Sequence, residues 1–483
     1  MDDRQERFED GSDTVARCLA SHLVPLDDVA STGVTDNSGR ADASDRADGS
    51  GRADANDRAD GSDRVDANGR RDGNDRVDAR DTLDVVGATV AGSDVIGLGE
   101  ASHGTREFFT VKGRLVRHLV EEHDLRLIGL ETDFAATLSI NEYVLSGTGT
   151  AEDALSQPCI HEGYRTESML GLIEWLCTFN EDRAPNDRVR CHGIDVQSAS
   201  TATSRLETFF EAVDPDALSP IRDDLQTLVR DGVPSFSDSE KTCAHIEARS
   251  AVVETLRDTL VDHESAYVAR AGRRAYERAR RIIWTIEQGR RQFEAIHEGR
   301  ADAGANVRIR DSAMAAQVQW LLEHEPGDWI AVWGHNAHLT RGPFAGGPVR
   351  HTQHIPSLGY NLAGLADVEY YALGLLLGGG TVGAVYTPEM AYREYEIDPP
   401  PQGSIPAVFG GVDSSAFFLD LRSLPDESPL SAWLDTGPPH FDVVGGYRES
   451  PVTLVESNLR RGFDGLVFVD ETTAARPMSG DPD

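Results

Sequence analysis

The segment GLGEASHG, residues 97–104, places a carboxylate, a hydroxyl and an imidazole between glycines. A neutral imidazole near pH 7 can take a proton from water, and a carboxylate on its other nitrogen fixes the tautomer and stabilises the imidazolium that forms. His103, with Glu100 three residues before it and Glu131 further along the chain, has the residue types for this role. We therefore expect a general-base site that activates water.

Further polar residues follow apolar runs typical of buried strands. Glu131 and Asp133 end LRLIGLETD, Asp195 ends RVRCHGIDVQ, and His335, Asn336 and His338 follow DWIAVWG. Because the carboxyl ends of parallel strands share one sheet edge, we expect these groups to converge with Glu100 and His103 in one crevice. Either later histidine could protonate a leaving group or hydrogen-bond an oxyanion.

Four other residues are candidates for substrate binding: Lys112, Asn336, Asp195 and Asp133. Lys112 lies about two turns past His103 on the next predicted helix, where it could face the crevice. The alternative for Lys112 is an ordinary solvated helix lysine, and for the loop residues a helix cap or a loop hydrogen bond.

The pattern leaves two other functions open. Imidazoles and carboxylates are ordinary metal ligands, so Glu100, His103, Glu131 and His335 could instead bind zinc or a pair of divalent ions in a metal-dependent hydrolase. A binding protein that keeps the pocket without turnover is the other alternative. A covalent nucleophile has weak support, because neither a G-x-S-x-G elbow nor a phosphate loop is present.

The elements that must position these residues alternate between strand and helix. Apolar residues recur with helical spacing after GLGEASHG, and βαβ order predicts neighbouring parallel strands. Later strands are predicted in YYALGLLLGG, TVGAVYT, AFFLDL and DGLVFVDETT. The fold class we predict is α/β, with a mostly parallel central sheet, flanking helices and a large helical insertion.

Composition shifts predict how the chain is divided. Residues 36–80 repeat Asp-Arg and Ala-Asp units with few apolar residues, which predicts a disordered insertion. The expected units are an N-terminal helical part of the catalytic body (1–35), that insertion, a first core part (81–202), a helical insertion (203–323), a second core part (324–475) and a flexible tail (476–483).

Charge narrows the set of partners. The chain carries 82 acidic against 46 basic residues, a formal charge of −36, so we expect neither nucleic acid nor membrane as a partner. Only Lys112 and Lys241 are lysine, which indicates adaptation to concentrated salt or a bias towards arginine codons. The five scattered cysteines argue against a disulfide framework, and without an apolar N-terminal run we expect a cytoplasmic protein.

Five motifs together resemble the erythromycin esterase family: GLGEASHGTREFF, LIGLETDFAAT, HGIDVQ, AVWGHNAHL and DGLVFVDETTAARP. The resemblance spans residues 93 to 475 and implies hydrolysis of a small-molecule ester or lactone by histidine-activated water. It implies no covalent intermediate and no required metal, and we expect no cofactor. The family's base and its partner match His103 and Glu100, its second carboxylate Glu131, its later histidines His335 and His338, and a basic helix position Lys112.

Overall fold

The computed structural model describes residues 13–30, 79–196, 200–230, 239–297, 303–344 and 354–478. Most of the predicted disordered insertion at 36–80 and most of the predicted tail at 476–483 lie outside these residues. Within them, no helix is both long and apolar enough to cross a membrane.

The strands are short except for one. They are β1 Val24–Pro25, β2 Val95–Leu98, β3 Leu127–Asp133, β4 Arg190–Asp195, β5 Ile330–Trp333, β6 Tyr370–Tyr386, β7 Ala391–Glu396, β8 Ala416–Asp420, β9 Pro439–Val443, β10 Gly446–Tyr447, β11 Val452–Glu456 and β12 Gly465–Thr472.

Helices connect most of these strands. They are α1 (residues 13–20), α2 Asp27–Ala30, α3 Ala79–Val90, α4 Arg106–Glu122, α5 Phe134–Ser146, α6 Ala151–Leu155, a 3₁₀ turn Glu162–Tyr164, α7 Glu167–Asn180, α8 Ser200–Val213, α9 Pro215–Arg230, α10 Ser239–Asp262, α11 Glu264–Ala271, α12 Arg273–His297, α13 Ala303–His324, α14 Asn336–Leu339, α15 Leu358–Ala363, α16 Ile405–Phe409, α17 Pro429–Leu434 and α18 Leu459–Gly462.

The central sheet has the strand order β1-β8-β12-β6-β2-β5-β3-β4. Every neighbouring pair from β12 to β4 is parallel, while β8 runs antiparallel to both β1 and β12. The predicted α/β class with a mostly parallel sheet is therefore confirmed. The expectation that β2 and β3 are neighbours is wrong, because β5 returns from the long helical segment and pairs with both.

One strand is longer than the sequence pattern indicates. The runs YYALGLLLGG and TVGAVYT, predicted as separate strands, form the single strand β6. Its first half pairs with β2 and β12, and its second half pairs with β7 and β10. Gly380, at φ +95°, has a backbone conformation that favours glycine, so the glycines turn the strand towards new partners without ending it.

Both faces of the sheet are buried by helices. Side chains alternate along the parallel strands: Ile330 and Val332 of β5 belong to one apolar cluster, and Ala331 and Trp333 to the other. The first cluster includes residues of α8 to α13, and the second residues of α3, α4 and α7. This double covering explains why the parallel strands are continuous apolar runs that end abruptly in polar residues.

The loop after β2 lies directly on the second half of β6. The Gly383 N–H donates a hydrogen bond to the Gly104 carbonyl at 2.9 Å, and a Cβ on Gly104 would overlap the Gly383 backbone. Gly104 therefore has to be glycine for the loop that carries Glu100 and His103 to reach this position.

We expect Gly104→Ala to lower the free energy of unfolding by about 1–3 kcal/mol, because overpacking displaces the loop or the strand. Gly113→Ala is the matched control, because a Cβ at this α4 position meets nothing within 4 Å. Alanine there should instead stabilise the helix by about 0.5–1 kcal/mol. Denaturant unfolding of both variants measures the contrast, and equal stability of the two would contradict the packing argument.

Candidate active site

The carboxyl ends of four parallel strands bring the expected residues to one sheet edge. The loop after β2 carries Glu100 and His103, and α4 contributes Lys112. Glu131 and Asp133 end β3, Asp195 ends β4, and His335, Asn336 and His338 follow β5. Hydrogen bonds join most of these side chains into one cluster at the carboxyl ends of the strands, where α/β sheets bind ligands.

Glu100 is fully buried, and both of its carboxylate oxygens are bound. Oε1 lies 2.7 Å from Nδ1 of His103, while Oε2 accepts from Lys112 Nζ and, at 3.1 Å, from Trp333 Nε1. Burial alone would raise the pKa of this carboxyl, but Lys112 and His103 outweigh burial and lower it. Glu100 is therefore held as a carboxylate.

Lys112 is also fully buried, so the alternative of a solvated helix lysine is wrong. Its ammonium lies 4.1 Å from the centre of the Trp333 ring and donates to the Leu98 carbonyl at 3.3 Å as well as to Glu100. Burial lowers the pKa of Lys112 to about 8, although the Glu100 charge opposes that shift. The ammonium thus contacts a carbonyl, a carboxylate and an aromatic ring of the protein itself.

The partner of His103 determines its tautomer. A carboxylate can only accept, so Nδ1 carries the proton that is shared with Glu100, and in the neutral ring Nε2 keeps its lone pair. His103 is 11% exposed, so its ring is mostly but not completely covered. This arrangement suits a general base.

Arg310 of α13 joins the ends of β3 and β4. It makes a bidentate contact with Asp195, with Nη2 at 2.7 Å from Oδ2, and Nη2 also lies 2.9 Å from Glu131 Oε1. The other Glu131 oxygen accepts from the His335 N–H at 2.7 Å. Burial would raise the pKa of Glu131, but His338, the Arg310 guanidinium and this N–H hold it well below its usual value.

His338 is enclosed by charged groups. Its Nδ1 lies 2.9 Å from Oδ1 of the buried Asp311, and its Nε2 lies 2.7 Å from Nη1 of Arg310. Because a guanidinium can only donate, Nε2 of the neutral ring accepts and its proton sits on Nδ1. Burial would lower the pKa of His338, but the Asp311 and Glu131 carboxylates outweigh burial and raise it. Both ring nitrogens of His338 are therefore already bound within the protein.

His335 has the opposite tautomer to His338. Its Nδ1 accepts from the Ala337 N–H at 3.2 Å, so in the neutral ring Nε2 carries the proton. Nε2 has no hydrogen-bond partner in the described part of the chain, and Asp442 Oδ1 lies 3.4 Å away as an ion-pair neighbour. Burial lowers the pKa of His335, and its ring centre lies 5.2 Å from that of His103.

Two expected binding residues are engaged by backbone. The Asn336 amide donates to the Leu375 carbonyl at 2.8 Å and accepts from the Leu375 N–H, so it fastens α14 to β6. Asp133 accepts from the Ala136 N–H at 2.9 Å and caps α5. Asp195 binds Arg310, as described above. The geometry thus shows structural contacts for all three residues.

The sequence pattern does not indicate several residues of this cluster as site residues. Arg310 and Asp311 lie in the first half of α13, close to Arg308, where a buried pair of charges looks like a solvated one. His161 precedes the 3₁₀ turn, and its ring centre lies 4.7 Å from that of His103. Asp442 is on β9, a strand that the sequence pattern does not predict.

A cavity of about 380 Å³ adjoins this cluster. It shares Asn336, Ala337 and Asp442 with the surroundings of His335, and the segments around β9, β11 and α18 form much of its wall. In the described residues, no group of three or more His, Cys, Asp or Glu side chains is arranged to hold one metal ion.

The family model for erythromycin esterase matches residues 120–472. The chain belongs to the erythromycin esterase family. The resemblance predicted from the motifs is thus confirmed, and membership makes the chain a hydrolase of the erythromycin esterase type. The matched segment includes Glu131, Asp195, Arg310, His335 and His338 and begins after the loop that carries His103.

Three similar proteins accompany this match. A Bacillus subtilis (strain 168) protein named "Putative hydrolase YbfO" is 24% identical over 402 residues, which cover 79% of this chain and 84% of that protein. The crystal structure of a Bacillus cereus protein has a TM-score of 0.71 at 20% identity and covers 97% and 99% of the two chains. A mutant of the erythromycin esterase EreC, in its open conformation, has a TM-score of 0.59 at 19% identity, with coverage of 82% and 94%. These solved structures share the fold.

In this erythromycin esterase-type hydrolase, we expect Arg310→Met to lower the free energy of unfolding at pH 8 by about 3–5 kcal/mol, because Glu131 and Asp195 keep buried charges without their cation. The loss should shrink towards pH 5, because burial raises the pKa of Glu131 once Arg310 no longer opposes it, and the carboxyl can then take up a proton. Arg273→Met, which removes an exposed ion pair with Glu264, is the control and should show no comparable loss. Denaturant unfolding at both pH values tests this, and a loss independent of pH would contradict it.

Proposed function

We propose that this chain hydrolyses a carboxylic ester or lactone with a water molecule that His103 activates. The observation that carries the proposal is the 2.7 Å contact between His103 Nδ1 and Glu100 Oε1, which leaves Nε2 as the proton acceptor in a partly exposed ring. Glu100 is the carboxylate that orients the base, because Glu131 binds Arg310 and the His335 N–H instead.

In the proposed reaction, Nε2 of His103 takes one proton from water as the water oxygen bonds to the ester carbonyl carbon. The carbonyl π electrons move to its oxygen and give a tetrahedral oxyanion. The C–O bond to the alcohol then breaks, and the His103 imidazolium returns the proton to the leaving oxygen. Glu100 stabilises the intervening imidazolium, and the protein forms no covalent bond to the substrate.

His335 is the better placed of the two later histidines to serve the oxyanion or the leaving oxygen. Its Nε2–H has no hydrogen-bond partner in the described part of the chain and its ring packs against His103, whereas the Nε2 of His338 already accepts from Arg310. We assign His338, together with Asp311, to holding Arg310 and Glu131 in place.

Family membership supports an ester as the substrate class, and a macrolactone is one candidate within it. The metal-dependent alternative is less well supported. In the described residues no three His, Cys, Asp or Glu side chains are arranged to bind one metal ion, and one oxygen of Glu100 is already bound by Lys112 and Trp333. Chelation, followed by metal analysis and re-addition of zinc or manganese, tests that alternative directly.

We expect His103→Ala to lose about 100- to 10,000-fold in kcat/KM, because a positioned general base contributes on that order. The assay uses a panel of simple esters, lactones and a macrolactone. Mass spectrometry measures the mass gain of one water in each product. His123→Ala, a half-buried histidine at the end of α4, is the control and should keep wild-type rates. Equal turnover by the wild type and the His103 variant would overturn the mechanism, and activity lost to a chelator would favour the metal alternative.

We expect the rate to fall as pH rises through about 8, because Lys112 then loses its proton and leaves Glu100 as an unpaired buried carboxylate. In Lys112→Arg, the guanidinium stays protonated to far higher pH, so the alkaline limb should move up or disappear. Lys241→Arg, at the only other lysine of the chain, is the matched control. With folding verified by circular dichroism, an alkaline limb that stays in place in Lys112→Arg would contradict this assignment.

A further inference from the structure

His161 has the same local arrangement as His335 although it belongs to a different loop. Its Nδ1 accepts from the Gly163 N–H at 3.1 Å, just as His335 Nδ1 accepts from the N–H two residues further on. The backbone N–H of His161 donates to Thr132 Oγ1 at 2.9 Å. Because the backbone N–H must donate to Nδ1, the proton of the neutral His161 ring sits on Nε2.

The position of His161 places this donor beside the base. The ring centres of His161 and His103 are 4.7 Å apart, and a Cβ on Gly163 would lie 2.8 Å from the His103 Cβ. The loop can approach this closely only because Gly163 has no side chain. His161 therefore packs against His103 through a loop geometry that the sequence specifies.

Space for a substrate atom exists next to both rings. The residue facing them is Gly445, where a Cβ would lie 3.6 Å from both His103 Cδ2 and His161 Nε2. No side chain of Gly445 fills that space, and Nε2 of His161 makes no hydrogen bond to the described residues. A group bound there would contact the base and the His161 N–H together.

The protonation state of His161 suits a permanent donor. Burial, reinforced by the neighbouring His103, lowers the pKa of His161 to about 4. The ring is therefore neutral at and above pH 6, and it can donate a hydrogen bond from Nε2 without transferring a proton.

We propose that the Nε2–H of His161 is a catalytic hydrogen-bond donor to the tetrahedral oxyanion that forms when water attacks the ester carbonyl at His103. The inference rests on the proposed function and adds a residue to it. The water oxygen bonds to the carbonyl carbon while one of its protons moves to His103 Nε2, the π electron pair moves to the carbonyl oxygen, and that oxygen accepts from His161. The hydrogen bond from His161 strengthens as negative charge develops on this oxygen, so it stabilises the transition state more than the ground-state ester.

Two variants of His161 separate loss of the Nε2–H donor from disturbance of the loop that Nδ1 stabilises. Asparagine is a good helix N-cap, so His161→Asn can still accept from the Gly163 N–H while losing the distant donor. Its melting temperature should stay near that of the wild type, and its kcat should fall by roughly 100- to 1,000-fold, as for loss of one oxyanion donor. His161→Gln, whose amide can reach the position of Nε2, should recover part of this loss. KM should change little in both.

A measurement without turnover separates this inference from the proposed function. The probe is an anionic alkylphosphonate monoester, a tetrahedral mimic of the oxyanion, bound in a calorimeter. The wild type should bind it more tightly than His161→Asn, with His161→Gln between them and His123→Ala equal to the wild type. The difference should be constant from pH 6 to 9, because His161 stays neutral there.

Equal probe affinity in the wild type and His161→Asn overturns the role of His161 even if esters are hydrolysed. The same holds for a kcat that is unchanged in His161→Asn. A wild type that binds the probe through His161 but hydrolyses no ester retains the donor and refutes the proposed function. A wild type that does neither refutes both.

Discussion

The buried ion pair between Glu100 and Lys112 is the interaction on which the site depends. Both side chains are completely removed from solvent, and desolvating two charges costs several kcal/mol per ion, so such a pair adds little to stability over apolar residues of similar size. Its consequence is geometric. With Lys112 and Trp333 on one oxygen, the other oxygen of Glu100 is directed to His103 and fixes its tautomer. Removing the cation would leave a buried carboxylate whose protonation would compete with that role.

Charge balance also couples the helical segment to the sheet. Glu131 lies near the end of β3 and Asp195 ends the adjacent parallel strand β4, so both carboxylates reach the same edge of the sheet. The compensating cation, Arg310, comes from α13, more than a hundred residues beyond β4. Asp311, the next residue on that helix, binds His338 and accepts from the Leu358 N–H. The inner face of α13 is therefore part of the site, whereas residues of α8 to α12 contribute to the apolar cluster on that side of the sheet.

The sequence predicts the parts of this site that are encoded locally. An apolar run followed by polar residues marks a buried strand end, which is why Glu131 and the residues after β5 are found from the pattern. Strand order is decided by which distant segment packs between β2 and β3, so no local pattern predicts that β5 separates them. Burial is equally non-local. From its position on α4, Lys112 could face either solvent or the crevice, and nothing in the pattern marks Arg310. Only the fold shows that buried carboxylates bind both side chains. His161 lies in an irregular loop without periodicity.

The four histidines of the cluster differ in what binds their ring nitrogens. Nδ1 of His103 donates to a carboxylate, which makes Nε2 a base. Nδ1 of His161 and of His335 accepts a backbone N–H, which makes Nε2 a donor. His338 is bound at both nitrogens, by a carboxylate and by the arginine of α13. The backbone N–H groups that bind Nδ1 of His161 and His335 cannot titrate. They therefore fix the tautomers of these two rings without a neighbouring charge. In the proposed reaction the group that takes up a proton, His103, is thus distinct from the two donors, His161 and His335, and of these three only His103 contacts the buried ion pair.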